Sequence, residues 1–294
     1  MFFSCRSSRT SWFCALNNNR RTDLVFCVCY RKALVLLVTL LCQATAKGEL
    51  DRAAQDTLTD LLWKENSDLA DAAWKTKYIQ GIASGTLDPR NFGNYTVQDA
   101  AYCSANTDNL KFLMDKTGNE SLKTFFESQY EEFRNETESL YNQWSLKPGG
   151  SDLGAAAKWY VDVEYKVAHE EDPLYYLVAM IPCYRLWPYL ANKMQAEGDD
   201  KASNIYKFWI EEYGSFKSAE GVESEVNKAS ALIDHQKASQ IYHSCMVGEV
   251  NFFRSVCDEE LLPFPKRTRA PTPLHIRGRK LNIQGFEVLN YIKK

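Results

Sequence analysis

Histidine is scarce in this chain: four in 294 residues, at 169, 235, 243 and 275. No two stand four apart and none closes a Glu-x-x-His, so a helical metal site lacks its ligands. Cys-x-x-Cys is absent; the nearest approach is Cys27-Val28-Cys29, close to the N-terminus. Gly-x-Gly-x-x-Gly, the P-loop and Gly-x-Ser-x-Gly are missing too, which removes the dinucleotide, nucleotide-triphosphate and serine-hydrolase readings. Nothing repeats at a fixed period, so a solenoid is excluded. Period-2 alternation is rare and short, leaving little from which to build a sheet. The sequence therefore predicts no metal and no cofactor.

Charge is divided along the chain. Residues 1–47 carry seven Lys/Arg against one acid, Asp23, and residues 266–294 carry eight against one, Glu287. The middle, 48–265, holds the other 20 basic and 36 acidic residues, a net of about −16. A body of that sign has no concentrated basic face for phosphates, so nucleic acid is not an expected partner.

The first 46 residues read as a leader. Arg31-Lys32 precede an apolar run from Ala33 to Cys42, followed by Gln43-Ala44-Thr45-Ala46. A positive flank, a ten-residue apolar core and a small-x-small site predict a secretory signal cut after Ala46. The run is too short to span a bilayer comfortably, so the mature chain is expected to have no stable membrane span. The thirty-two residues before the run are Arg- and Ser-rich, which makes an organelle transit peptide the alternative. Acceptors for N-glycans at Asn94, Asn119 and Asn135 favour a secreted, extracellular product. Five of the nine cysteines fall in the leader, leaving Cys103, Cys183, Cys245 and Cys257.

From 47 to 260 the pattern is all-α. Apolar residues recur at helical spacing over 49–75, and over 119–145 as Leu122, Phe125, Phe126, Phe133, Leu140 and Trp144. Pro148-Gly149-Gly150-Ser151 breaks the chain, with Ser151 as N-cap of a helix to about Glu170. Pro173 opens the next helix, and further helices are predicted at about 199–213, 218–235 and 238–257. Residues 261–294 form a Pro-rich, then basic, tail that reads as poorly ordered.

Within the helix from Pro173, two further prolines, Pro182 and Pro188, each remove a ladder hydrogen bond at roughly 3 kcal/mol and predict a bend. Cys183 sits at the first. Alone it reads as a small buried hydrophobe. The remaining candidates for chemistry are Gln98-Asp99, Tyr102, Tyr160, Tyr213 and Glu249.

Four separated stretches give these residues a common setting. They are Tyr78 to Leu87 (YIQGIASGTL) with Phe92, Tyr95, Gln98-Asp99 and Tyr102; Leu177 to Trp187 (LVAMIPCYRLW); Ile205 to Tyr213 (IYKFWIEEY); and Glu249 with Phe252-Phe253. Over about 50–256 the chain resembles the TenA / thiaminase II family. The resemblance implies a haem-oxygenase-like helical bundle, commonly a homotetramer, in which a cysteine attacks a thiamin-type pyrimidine. Carried over by position, it implies Cys183 as nucleophile, Glu249 as acid/base and Asp99 as the carboxylate holding substrate and thiol. Tyr102, Tyr160, Tyr213 and Trp187 would line the pocket.

An electron-poor pyrimidine, once protonated by a carboxylic acid, is open to attack by sulfur. Neighbouring acids raise a thiol's pKa, so Asp99 is expected to take the thiol proton during attack rather than to hold a standing thiolate. Two positions depart from the family pattern: Thr76-Lys77-Tyr78 replaces the usual His-Pro-Phe, and Trp187 replaces the common tyrosine. Haem oxygenases of the same fold need a histidine on their first helix, and none stands before His169. The expected function is hydrolysis of thiamin or a thiamin-derived aminopyrimidine. The alternative is a secreted, non-catalytic relative that binds a pyrimidine or serves as an extracellular structural component.

Overall fold

The computed structural model describes residues 56–147, 153–199 and 201–265. The leader, its signal segment, the Pro148–Ser151 break with the proposed Ser151 cap, and the basic tail from 266 lie outside the described residues. Contacts divide the chain after Leu61. Of the first unit only residues 56–61 are described, and they open helix α1 (Leu58–Glu65). The second unit, from Leu62, carries everything below.

Every described element is helical, as the sequence pattern predicts, and no strand occurs among the described residues. The elements are α2 (Ser67–Trp74), α3 (Lys77–Ser84), α4 (Pro89–Lys116), α5 (Glu120–Trp144), α6 (Ala155–Glu170), α7 (Pro173–Glu197), α8 (Lys207–Glu212), α9 (Lys217–Lys228), a 3-10 turn (Ser230–Leu232) and α10 (His235–Ser255). Starts are set by side chains that accept from orphan amides. Asp88 accepts from Arg90 N, Asn119 from Ser121 N and Leu122 N, Asp172 from Leu174 N, and Asp234 from Gln236 N and Lys237 N. Gly85 (φ 72°) and Gly198 (φ 76°) end α3 and α7 in the left-handed region, where a Cβ is strained.

Three boundaries differ from the pattern. The predicted helix over 49–75 breaks, in its described part, at Asn66. This residue is buried, turns its Nδ2 back to Leu62 O (2.8 Å), and sits between α1 and α2. The helix expected at 199–213 shrinks to α8 because Asn204 organises a turn instead. Its Nδ2 donates to Ile82 O (2.9 Å), Ala83 O (3.0 Å) and Asp199 O (2.9 Å), while its Oδ1 accepts from Tyr206 N (2.8 Å). The helix expected to reach 235 stops at Lys228 and gives way to the 3-10 turn.

Helix α7 runs unbroken through Pro182 and Pro188, leaving the carbonyls of Val178 and Tyr184 without their in-helix donors. It buries residues on most of its circumference, from Tyr175 to Met194. It packs on α6, α9 and α10; α10 in turn packs on α2, α3 and α6, and α4 lies on α5 and α6. Helices α4, α6, α7 and α10 therefore enclose one core. After α10 the chain is strapped back. Asn251 Nδ2 donates to Leu262 O (3.0 Å), Leu262 N donates to Asn251 Oδ1 (2.7 Å), and Phe264 stacks on Trp159 at 4.7 Å.

Candidate active site

Helical spacing gathers the candidate residues. On α4, Tyr95, Asp99, Tyr102 and Asn106 recur at three or four residues, hence on one face. Tyr160 and Glu164 stand one turn apart on α6; Tyr176, Cys183 and Trp187 share a face of α7; Cys245, Glu249 and Phe252 share one of α10. The four faces meet.

Glu249 is at the centre. Only 2% of it is exposed, and burying a carboxylate is costly unless donors surround it. Tyr160 Oη donates to its Oε1 (3.0 Å) and Trp187 Nε1 donates to its Oε2 (3.3 Å). Burial still outweighs these bonds and pushes its pKa up from 4.5 to about 7. A carboxyl with that value both gives and takes a proton near neutrality.

Cys183 is half-buried and, like Cys103, Cys245 and Cys257, a free thiol. Burial first, then the charges of Glu249, Asp99 and Glu164, hold its pKa well above the usual thiol value. The resting group is therefore the thiol, not the thiolate. Glu249 and then Asp99 are the acids whose charge weighs most on it. Asp99 is half-buried, makes no side-chain hydrogen bond among the described residues, and has its own pKa raised by burial and by the charges of Glu136 and Glu249.

Aromatic rings wall the site. Tyr95 lies 4.5 Å from Phe252, 4.6 Å from Tyr78 and 5.8 Å from Trp187, centroid to centroid. Tyr213, at the C-terminal end of α8, meets Trp187 edge-on at 4.6 Å, and Trp209 lies 5.4 Å from the same indole. Tyr102 and Tyr160 tilt against each other at 5.0 Å. The indole that replaces the family's usual tyrosine thus lines the wall and donates to Glu249. Gly248 sets the depth of the site: a Cβ there would fall 2.6 Å from Tyr160 Cγ, so only glycine lets α10 approach that ring.

All seven residues singled out by the sequence for catalysis or binding, Asp99, Tyr102, Tyr160, Cys183, Trp187, Tyr213 and Glu249, fall in this one region. The three glycan-acceptor asparagines, Asn94, Asn119 and Asn135, are all exposed on the outside. Sequence reasoning missed the layer behind Glu249. Glu164 is 1% exposed, with Tyr102 Oη donating to its Oε1 (2.9 Å) and Asn106 Nδ2 to its Oε2 (2.9 Å); Tyr176 Oη donates to Asn106 Oδ1. The available signal was position: Glu164 follows Tyr160 by four and precedes Val167 by three, on the buried stripe of α6.

Among the described residues, no group of three or more His, Cys, Asp or Glu is placed to hold a metal ion. No helix among them is long and apolar enough to cross a membrane.

Comparison with known proteins agrees with the geometry. The thiamine biosynthesis multifunctional protein ThiED of Corynebacterium efficiens is 25% identical over 208 residues, which are 66% of this chain and 28% of that protein. The chain thus spans little more than a quarter of that relative's length. A TenA homologue from P. horikoshii OT3 superposes with a TM-score of 0.60 at 18% identity, over 68% of this chain and 98% of that one. A putative TenA-like thiaminase from Sulfolobus solfataricus P2 superposes with a TM-score of 0.55 at 18% identity, over 70% and 98%. These likenesses fix the fold, and the match of residues 68–259 to the family's own sequence pattern fixes the lineage: the chain belongs to the TENA/THI-4/PQQC family.

Proposed function

We propose that this chain hydrolyses thiamin or a thiamin-derived aminopyrimidine, with Cys183 as nucleophile. The observation that carries the reading is the gathering of the half-buried Cys183 thiol, the buried Glu249 carboxyl and the half-buried Asp99 carboxyl beside the aromatic wall of Tyr95, Trp187 and Tyr213. The names of the ThiED relative and of the TenA-like thiaminase add the substrate class. A flat, electron-poor ring enters between the aromatic faces, and Asp99 accepts from its exocyclic amino group. Cys183 Sγ adds to a ring carbon as the thiol proton passes to Glu249, in place of the Asp99 expected from the sequence, because Glu249 is the acid whose charge weighs most on the thiol; Glu249 hands it to the ring nitrogen made basic by the addition. The C–N bond at the exocyclic methylene then breaks, thiazole (or ammonia from the protonated amine) leaving with the electron pair; water adds to that methylene and gives a proton to Glu249, and sulfur leaves the ring carbon as the ring N–H proton returns to it.

The thiol never ionises freely in this scheme, which suits a pKa held above the usual thiol value. Turnover of thiamin and of aminomethylpyrimidine by the wild type and by Cys183→Ala tests it. Loss of about a thousandfold or more in kcat is expected, and equal rates would remove the cysteine from the mechanism.

Secretion of the chain and assembly as a homotetramer are part of the same proposal. Exposure of Asn94, Asn119 and Asn135 suits the first, and a mass shift on endoglycosidase treatment of the secreted product tests it. Sedimentation of the purified chain tests the second.

A further inference from the structure

Glu249 has one partner on each oxygen, and the two partners differ in kind. Tyr160 Oη donates to Oε1 at 3.0 Å, and Trp187 Nε1 donates to Oε2 at 3.3 Å. A phenol oxygen carries lone pairs and can turn from donor to acceptor, whereas an indole nitrogen only donates. The indole is also held in place. It is 8% exposed, Tyr213 meets it edge-on at 4.6 Å, and Trp209, Tyr95 and Phe253 lie at 5.4, 5.8 and 6.2 Å. Packing on so many sides fixes the ring, and with it the direction of the N–H.

A neutral carboxyl is asymmetric: its carbonyl oxygen accepts well and its hydroxyl oxygen poorly. A proton placed on Oε2 would leave the buried indole N–H facing a weak acceptor, which is costly where water cannot replace it. A proton placed on Oε1 keeps both contacts. Oε2 remains the acceptor for the indole, and the new O–H on Oε1 can turn to the lone pairs of Tyr160 Oη.

We propose that Trp187 is a positioning residue that fixes the Glu249 carboxyl, holding Oε2 as the indole's acceptor in both protonation states and leaving Oε1 as the oxygen that takes up and returns the proton.

Within the hydrolase scheme the transfer balances. The Cys183 S–H breaks as an O–H forms at Glu249 Oε1, and that O–H breaks as an N–H forms at the ring nitrogen of the substrate. The Trp187 N–H never breaks. A tyrosine at this position, the family's common residue, could itself turn from donor to acceptor and would leave either oxygen open to the proton. The indole removes that choice.

The same bond weighs on the balance between the two states. A hydrogen bond is stronger to a charged acceptor than to a neutral one, so the indole favours the ionised carboxylate against burial, which still holds the Glu249 pKa at about 7. Titratable groups facing Glu249 are Tyr95, Asp99, Tyr102 and Cys103 from α4, Tyr160 and Glu164 from α6, Cys183 from α7 and Cys245 from its own helix. None of these is a cation, so the ionised form leans on the Tyr160 and Trp187 donors.

The inference deepens the hydrolase reading but is decided without turnover, by NMR of the full chain carrying nitrogen-15 in its indoles. The Trp187 signal is assigned by its loss in Trp187→Phe. It is expected to move as Glu249 ionises near pH 7, to stay protected from hydrogen exchange on both sides of that step, and to stop titrating in Glu249→Gln. A signal that does not move, protection lost once Glu249 is protonated, or a titration that survives Glu249→Gln overturns the inference. Trp187→3-benzothienylalanine, with sulfur in place of the N–H, keeps the wall, removes only the donor, and serves for assignment if Trp187→Phe fails to fold.

Turnover gives a second readout. Without the N–H the ionised form loses a donor, so Glu249 binds its proton more tightly and the base form appears only at higher pH. The acidic limb of the kcat/KM profile should therefore rise by about one pH unit in either variant. The isostere should hold KM within about twofold, since the wall is unchanged. A limb that stays in place in the isostere makes Trp187 part of the wall alone and overturns the inference. Absence of any pyrimidine turnover by the wild type overturns the hydrolase reading instead, and the indole signal still decides this one.

Discussion

Raising the pH should weaken this fold in a range where most proteins are at their most stable. The groups responsible are Glu164 and Glu249, 1% and 2% exposed. In the unfolded chain both ionise at the ordinary value of 4.5; folded, they hold their protons to about 8 and about 7. Between those limits the unfolded state has released protons that the folded state keeps, so stability falls as pH rises. At 1.36 kcal/mol per pKa unit, the gap for Glu164 corresponds to about 5 kcal/mol and that for Glu249 to about 3 kcal/mol. The loss is complete only above the folded value of each. Against a typical total of about 5–15 kcal/mol, a decline of several kcal/mol between about pH 5 and about pH 8 is readily measured.

Urea unfolding followed by circular dichroism at a series of pH values is the assay, on the wild type and Glu164→Gln. At pH 5 the amide should be the weaker choice by about 1–3 kcal/mol. Its oxygen can keep the Asn106 Nδ2 bond only by turning its NH2 toward Tyr102 Oη, which must then change from donor to acceptor. As pH rises the wild type loses what the variant has no acid to lose, so the two curves converge and cross. Wild-type stability that is flat or rising from pH 5 to pH 8 would refute the reasoning, as would two curves that stay parallel.

Gly248→Ala should be among the most damaging single-methyl additions, because the new Cβ falls 2.6 Å from Tyr160 Cγ. We expect about 1–3 kcal/mol of destabilisation in thermal unfolding and a loss of turnover larger than stability explains, since the displaced ring carries the Glu249 bond. Cys183 should alkylate slowly at neutral pH and accelerate only above about pH 9, as peptide mapping after iodoacetamide would show; full-rate labelling below pH 6 would contradict a thiol held up by Glu249 and Asp99. Asn251→Ala removes both bonds to Leu262 and should cost about 1–3 kcal/mol. Its signature is faster proteolytic cutting within 257–265 while the helices remain intact.

Legibility of the fold followed period and caps. Long amphipathic segments such as Glu120–Trp144, and the start marked by Pro173, stood in the sequence because local chemistry decides them. The losses occurred where a side chain acts at long range. Asn204 holds a turn where the pattern predicts a helix, by bonding to Ile82 and Ala83, more than a hundred residues away, which no local window contains. Trp144 matched the apolar stripe of α5 yet ends 38% exposed at its last residue. In the site, residues with a recognisable motif were legible. Glu164 and Asn106 were not, since a glutamate on an apolar stripe gains meaning only once Tyr102, Asn106 and Tyr160 are known to surround it.

The charge pattern of the core then has a single physical consequence. Asp99, Glu164 and Glu249 share a region with Cys183, and no Lys, Arg or His enters the electrostatics of any of the four among the described residues. Without a counter-cation, neutrality comes from protons, so each acid titrates late and the thiol remains protonated. A Cys183 thiolate standing at rest would be a fourth anion among three acids. A thiol that loses its proton only as sulfur bonds to carbon avoids that charge altogether. The same acids that suppress the free thiolate are thus the ones that must accept its proton. An added cation, as in Asn106→Lys, should lower the Cys183 pKa and speed alkylation while slowing turnover, because Glu249 would then be held ionised and unable to pass the proton on.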